Sequence, residues 1–116
     1  MSDALSKLAL DTERNKPRFE HHYCDLEGDP DGGVSHGMGY TISWQKGPLK
    51  VAGSRNGAFV EDVLDAVKSR LQFYQDSKFN HAANQTAIDN IETALFALRN
   101  RMADRIERGV AGTHEV

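Results

Sequence analysis

From Ala58 onward the apolar residues fall on a helical period. Val60, Val63, Val67, Leu71 and Tyr74 are spaced 3, 4, 4 and 3 apart, with Leu64 beside them, which places them on one stripe of an amphipathic helix. Asn56 reads as its N-cap, and Glu61 and Asp62 put negative charge in the first turn, where the helix dipole favours it. The stripe stops near Gln75. The polar residues 76–83 read as a connecting turn and Asn84 as the cap of a second helix, in which Ile88, Ile91, Leu95, Leu98, Met102 and Ile106 recur at 3, 4, 3, 4 and 4. Gly109 ends it. The pattern predicts an antiparallel helical hairpin followed by a short tail.

Before residue 53 the texture is that of strands. The turn-rich run Gly28-Asp-Pro-Asp-Gly-Gly33 separates residues 19–26 from Gly39-Tyr-Thr-Ile-Ser-Trp-Gln45. In the second run Tyr40, Ile42 and Trp44 alternate with Thr41, Ser43 and Gln45, giving one apolar and one polar face. The two runs are expected to pair as a hairpin across that turn, and Gly47-Pro48 ends the second. The first ten residues form either a short helix through Leu5, Leu8 and Ala9 or a frayed segment. The fold class is therefore α+β: an N-terminal antiparallel β-sheet followed by a C-terminal two-helix antiparallel hairpin. Residues 1–116 make one domain, with 1–52 as the β-rich layer and 53–116 as hairpin and tail.

Both helices carry a second apolar face. Phe96 projects about 140° away from Ile91, and Phe59, Ala66 and Phe73 make a seven-residue row beside the main stripe. A lone hairpin cannot bury both faces, so the sheet, a second subunit, or both must cover the remainder.

Composition narrows the function classes. The 116 residues are 39% hydrophobic, as in a soluble globular domain. No run approaches the roughly 18 apolar residues of a membrane span, and the opening residues are too polar for a signal peptide. The single Cys24 cannot close an internal disulfide, which fits a reducing, cytoplasmic setting. A net charge of -3 argues against duplex nucleic acid as partner. The charge is unevenly spread: residues 11–32 hold seven acids and three bases, whereas residues 99–108 hold Arg99, Arg101, Arg105 and Arg108 against Asp104 and Glu107. Guanidinium groups grip phosphates by a bidentate fork.

The familiar catalytic constellations are weak here. His21, His22, Cys24 and His36 lie near one another in sequence, yet no second Cys and no spaced His pair completes a zinc set, so no metal and no cofactor is expected. Cys24 has no context that would activate a thiol. The glycines of residues 28–39 match neither the Walker A spacing nor Gly-x-Gly-x-x-Gly and are explained by turns. Glu61, Asp62 and Asp65 sit at a helix start, where capping accounts for them. The arginines near residue 105 complement a helix C-terminus in the same way. The tail Arg108-Gly-Val-Ala-Gly-Thr-His adds two glycines, a hydroxyl and an imidazole beside them, a combination able to wrap a polar ligand.

Several of these stretches resemble the phage sponge proteins that disarm bacterial signalling immunity, the first Thoeris anti-defence type and its anti-CBASS relatives. The resemblance rests on Gly39-Tyr-Thr-Ile-Ser-Trp-Gln-Lys-Gly-Pro-Leu49, Asn56-Gly-Ala-Phe-Val-Glu-Asp-Val63, Arg70-Leu-Gln-Phe-Tyr-Gln75, Asn84 and Arg108-Gly-Val-Ala-Gly-Thr-His-Glu115. It implies a non-catalytic protein, a homodimer or a hexamer built from dimers, that binds and holds cyclic nucleotide signals. Such signals are cyclic ADP-ribose isomers such as glycocyclic ADP-ribose (gcADPR), or cyclic di- and trinucleotides. It implies ligand contacts at Tyr74 (or Phe73), Asn84 and Arg101, with Arg105 as a neighbour.

Helix geometry adds a constraint. Asn84 and Arg101 are seventeen residues apart on one expected helix, so they lie about 25 Å apart, too far for one small nucleotide. If both touch the same ligand, as the resemblance implies, they come from different subunits, and pockets are expected at a dimer seam. There Tyr74 stacks a base and Asn84 reads a base or ribose edge, while Arg101, Arg105, Thr113 and His114 come from the partner. Arg55 is a weaker addition. Two other classes compete: a metal-independent phosphodiesterase or lyase using His114, and a structural adaptor docking through Phe59, Phe73 and Phe96.

Overall fold

In the computed structural model, which describes residues 17–116, the alternation around Tyr40 is a strand, but its neighbour is not the one expected. Strands β1 (Arg18–Cys24), β2 (Pro30–Gly37) and β3 (Tyr40–Trp44) form an antiparallel meander in that order. The glycine-rich stretch read as a turn is thus the central strand, and the two runs expected to pair flank it instead. Its physical basis is close packing on both sides. A Cβ at Gly37 would stand 2.7 Å from the Tyr40 ring, and Gly33, at φ 146, lies against the His21 carbonyl with no room for a side chain. Glycine at both positions lets the flanking strands close over β2. The actual turn is tighter and earlier: one Asp25 carboxylate oxygen accepts the N–H groups of Glu27 and Asp29 at 2.9 and 3.0 Å, an Asx arrangement that reverses the chain. On the face carrying Tyr40, Ile42 and Trp44, the Trp44 indole N–H donates to the buried Ser35 hydroxyl at 2.8 Å.

A four-residue helix, α1 (Leu49–Ala52), follows Pro48 and ends at Gly53 in the left-handed conformation. The chain then returns to β3. The Gln45 N–H donates to the Ala58 carbonyl and the Ala58 N–H to the Ser43 carbonyl, at 2.9 and 2.8 Å, a short parallel bridge that joins sheet to hairpin. Side chains lock this joint. The Gln45 carbonyl oxygen accepts the N–H groups of Asn56 and Gly57 at 2.9 and 3.1 Å. The Asn56 amide in turn bonds both the N–H and the carbonyl of Lys46, at 2.7 and 2.9 Å. Asn56 is therefore a clasp between layers and not the helix cap; Phe59 occupies the N-cap position without a side-chain bond.

The hairpin consists of α2 (Val60–Gln75) and α3 (Ala82–Glu107). The cap of α3 is His81, whose Nδ1 accepts the Ala83 N–H at 2.9 Å, so the helix starts before Asn84. The α2 stripe is partly the expected one: Val63, Leu64 and Leu71 are half-buried, joined by Lys68 and Gln75, while Val60, Val67 and Tyr74 stand outside. On α3 the inward row is Ile88, Ile91, Leu95 and Leu98, and Met102 and Ile106 are exposed. Ion pairs Lys68–Glu92 (3.6 Å) and Arg99–Asp65 (3.4 Å) fix the register along the rim. Among the described residues the buried apolar side chains are Ile88 and Leu95. The core is a thin seam.

Candidate functional site

The residues expected to bind ligand fall into two groups at opposite ends of the hairpin. Tyr74 and Asn84 belong to its tip, where the chain turns between α2 and α3. Gln75 organises that turn: its side-chain carbonyl accepts the His81 N–H at 2.9 Å and the Asn84 amide at 3.1 Å. The Asn84 amide also donates to the Phe79 carbonyl at 3.2 Å. Asn84 is half-buried, and its side-chain oxygen makes no hydrogen bond among the described residues. One acceptor is thus held in a fixed direction.

Tyr74 is part of a cluster. Arg70, Phe73 and Tyr74 are related by i, i+3 and i+4 and share one helix face. The Arg70 guanidinium carbon lies 4.9 Å from both ring centroids, and its Nε–H donates to the Tyr74 hydroxyl at 3.3 Å. The two rings meet edge-on at 6.0 Å. Both remain exposed, Phe73 at 60% and Tyr74 at 37%. Nearby, Lys78 lies 5.3 Å above the Phe79 ring. The hairpin tip therefore offers aromatic faces and cations together, the pairing that stacks bases and attracts phosphate.

The other group lies toward the end of α3. Arg101 is exposed and has no ion-pair partner among the described residues. Arg105, expected as a phosphate contact, is buried instead. Its guanidinium donates to the carbonyls of Val110 and Thr113, both at 3.0 Å, and of Glu115. All of its observed bonds go to the tail, because the chain folds back over the helix end as soon as Gly109 turns it. The rest of the tail is engaged too. The Thr113 hydroxyl donates to the Val110 carbonyl at 2.6 Å and accepts the Glu115 N–H at 3.2 Å. The Lys50 N–H donates to the Gly112 carbonyl at 3.0 Å, and His114 Nδ1 lies 3.6 Å from an Asp29 carboxylate oxygen. The tail does not wrap an open space; it ties α3, α1 and the β1–β2 turn together. Arg55 pairs with Asp62 and covers the Phe59 ring at 4.6 Å.

The histidines first considered as metal ligands are arranged otherwise. His21 and His36 stack on Phe19 at 4.4 and 4.8 Å. Among the described residues, ligand-type atoms gather at Asp25, Asp29 and His114, all within 4.8 Å; this is the contact that seats the tail on the sheet. Two shallow concavities of the described residues lie beside Phe19 and His36, and between the β1–β2 turn, α1 and His114. Neither includes Tyr74, Asn84 or Arg101.

No family model matches the chain. It is similar to "Thoeris anti-defense 1" of Bacillus phage SBSphiJ7, with 45% identity over 75 residues, covering 65% of this chain and 52% of that protein. It spans about half the length of that relative. Sequence reasoning overlooked two features of this chain. Gln45 and Asn56 form the joint between the layers, and Arg70 completes the aromatic cluster. The helical spacing of Arg70 with Phe73 and Tyr74 was the available signal for the second. The first left none, because its partners lie in a loop with no period.

Proposed function

We propose that the chain captures cyclic nucleotide immune signals without cleaving them, and so blocks the Thoeris defence of the infected host from within its cytoplasm. The ligands are gcADPR and related cyclic ADP-ribose isomers, with cyclic di- and trinucleotides, and hence CBASS, in the same chemical class. The observation that carries the reading is the split site. Aromatic faces and an oriented amide oxygen occupy one end of the hairpin, an unpaired guanidinium stands far along the same continuous 26-residue helix, and exposed apolar side chains lie between them. The name of the similar phage protein supports the anti-Thoeris part of this reading.

In this reading two hairpins pack antiparallel, so that Tyr74 and Asn84 of one subunit meet Arg101 of the other. Tyr74 stacks a base, Asn84 accepts a hydrogen bond from a base or ribose, and Arg101 holds phosphate. Arg105 serves this site indirectly, by fixing the tail. Capture must outcompete the effector's own affinity, so binding has to be tight.

Calorimetric titration with gcADPR and with cyclic dinucleotides tests the proposal. Saturable binding, with intact ligand recovered after heat denaturation of the complex, is the expected result; absence of binding to every such ligand overturns it. Catalytic turnover abolished by His114→Ala would instead mark a phosphodiesterase or lyase. A second reading, an adaptor docking another protein through Phe73 and Phe96, draws on their exposure of 60% and 67%. It predicts that Arg101→Ala leaves function intact, whereas capture predicts loss of ligand with the assembly preserved.

A further inference from the structure

We propose that Arg70 is a further recognition residue of the ligand site, a phosphate contact held in place by two aromatic rings. The inference rests on the reading of this chain as a nucleotide-capturing protein and assigns a role that neither charge clustering nor the tail suggested. Its basis is the environment of the guanidinium. Arg70 has no carboxylate partner among the described residues, although Asp and Glu are abundant in this chain. Instead its guanidinium lies equally close to Phe73 and Tyr74, 4.9 Å from each centroid. A single Nε–H is directed to the Tyr74 hydroxyl at 3.3 Å.

This arrangement has two chemical consequences. The terminal Nη groups retain their N–H donors, which form the planar fork that matches a phosphate or pyrophosphate. The guanidinium plane is also prevented from collapsing onto a nearby acid, so less side-chain freedom is lost when an anion arrives. A base stacked on the exposed side of Tyr74 would carry its own phosphate toward Arg70. Aromatic face and fork thus come from adjacent turns of one helix. The site then has two cationic contacts, Arg70 beside the base and Arg101 from the other subunit, and it favours ligands with two separated phosphates, or a pyrophosphate, over mononucleotides.

Arg70→Gln tests this, because a planar amide can still lie on the rings but carries no charge. The expected outcome is a loss of affinity for gcADPR or a cyclic dinucleotide of roughly tenfold or more, as for a lost hydrogen bond to a charged group. The circular dichroism spectrum and assembly mass should be unchanged. Discrimination against adenosine monophosphate should shrink in the same variant, which a purely structural contact between Arg70 and Tyr74 would not produce. Wild-type binding that survives undiminished in Arg70→Gln overturns the assignment and leaves the capture reading standing. Failure of the wild type to bind any of these ligands overturns that reading first.

Discussion

Arg101 and Arg105 are one helical turn apart and carry the same charge, yet their surroundings are opposite: Arg101 is exposed and Arg105 buried. Arg105 is 8% exposed and holds three carbonyls of the tail; its removal deletes charge-assisted bonds inside a partly buried site. Arg105→Ala should lower stability by about 2–3 kcal/mol, read as a fall in the denaturant midpoint, and should open residues 109–116 to proteolysis. Arg101→Ala should leave the midpoint where it is and remove ligand binding. Unchanged stability in Arg105→Ala would contradict the tail-anchoring role. Sequence alone could not separate the two. Arg99, Arg101, Arg105 and Arg108 read as one basic cluster, and which of them turns inward depends on where Gly109 sends the chain. Tyr74, by contrast, is a site candidate through the resemblance motif, and in the structure Arg70 lies against its ring.

At the level of elements, period was a better guide than boundary. The hairpin was legible because two long runs repeat at 3 and 4 residues, and Ile88 and Leu95 are indeed its buried centre. Of the α2 stripe, Val63, Leu64 and Leu71 are half-buried, while Val60, Val67 and Tyr74 are exposed, because hydrophobicity marks all apolar faces equally and only packing against α3 selects among them. Strand β2 was missed for the opposite reason. Its glycines mimic a turn, and their role becomes visible only when Tyr40 and the His21 carbonyl close over them. Gly57 belongs to the same class. A Cβ there would stand 2.6 Å from the Trp44 carbonyl carbon and oxygen, which are backbone atoms that cannot swing aside. Gly57→Ala should therefore loosen the bridge between β3 and α2 while leaving helix content intact. Amide exchange checks this: faster exchange at Gln45 and Ala58, with α2 and α3 still protected, is the expected pattern.

The whole molecule is more extended than its length requires. Its radius of gyration is 18.3 Å and its long axis 57 Å, against about 13 Å for the radius of gyration of a compact domain of this length. The accessible surface of 8829 Å² exceeds by roughly 2,500 Å² that of a compact monomer of the same mass, more than the roughly 800 Å² that each partner contributes to a standard interface. Much of the exposed apolar surface lies on the hairpin, at Val60, Val67, Phe73, Phe96, Met102 and Ile106. This is the surface that joins the two half-sites in the capture reading, and it allows a test that no single substitution provides. Tyr74→Ala and Arg101→Ala each remove a different half of every pocket, so each homo-oligomer alone should fail to bind ligand. When differently tagged subunits of the two variants are refolded together, a mixed pair contains one pocket with both substitutions and one with neither. The intact Tyr74 of the Arg101→Ala subunit faces the intact Arg101 of the Tyr74→Ala subunit. Purified mixed pairs should recover half of the wild-type stoichiometry at wild-type affinity in a calorimetric titration. If the two residues served one site within a subunit, mixing would restore no pocket; if they served separate sites, each homo-oligomer alone would already bind at half the stoichiometry and mixing would add nothing.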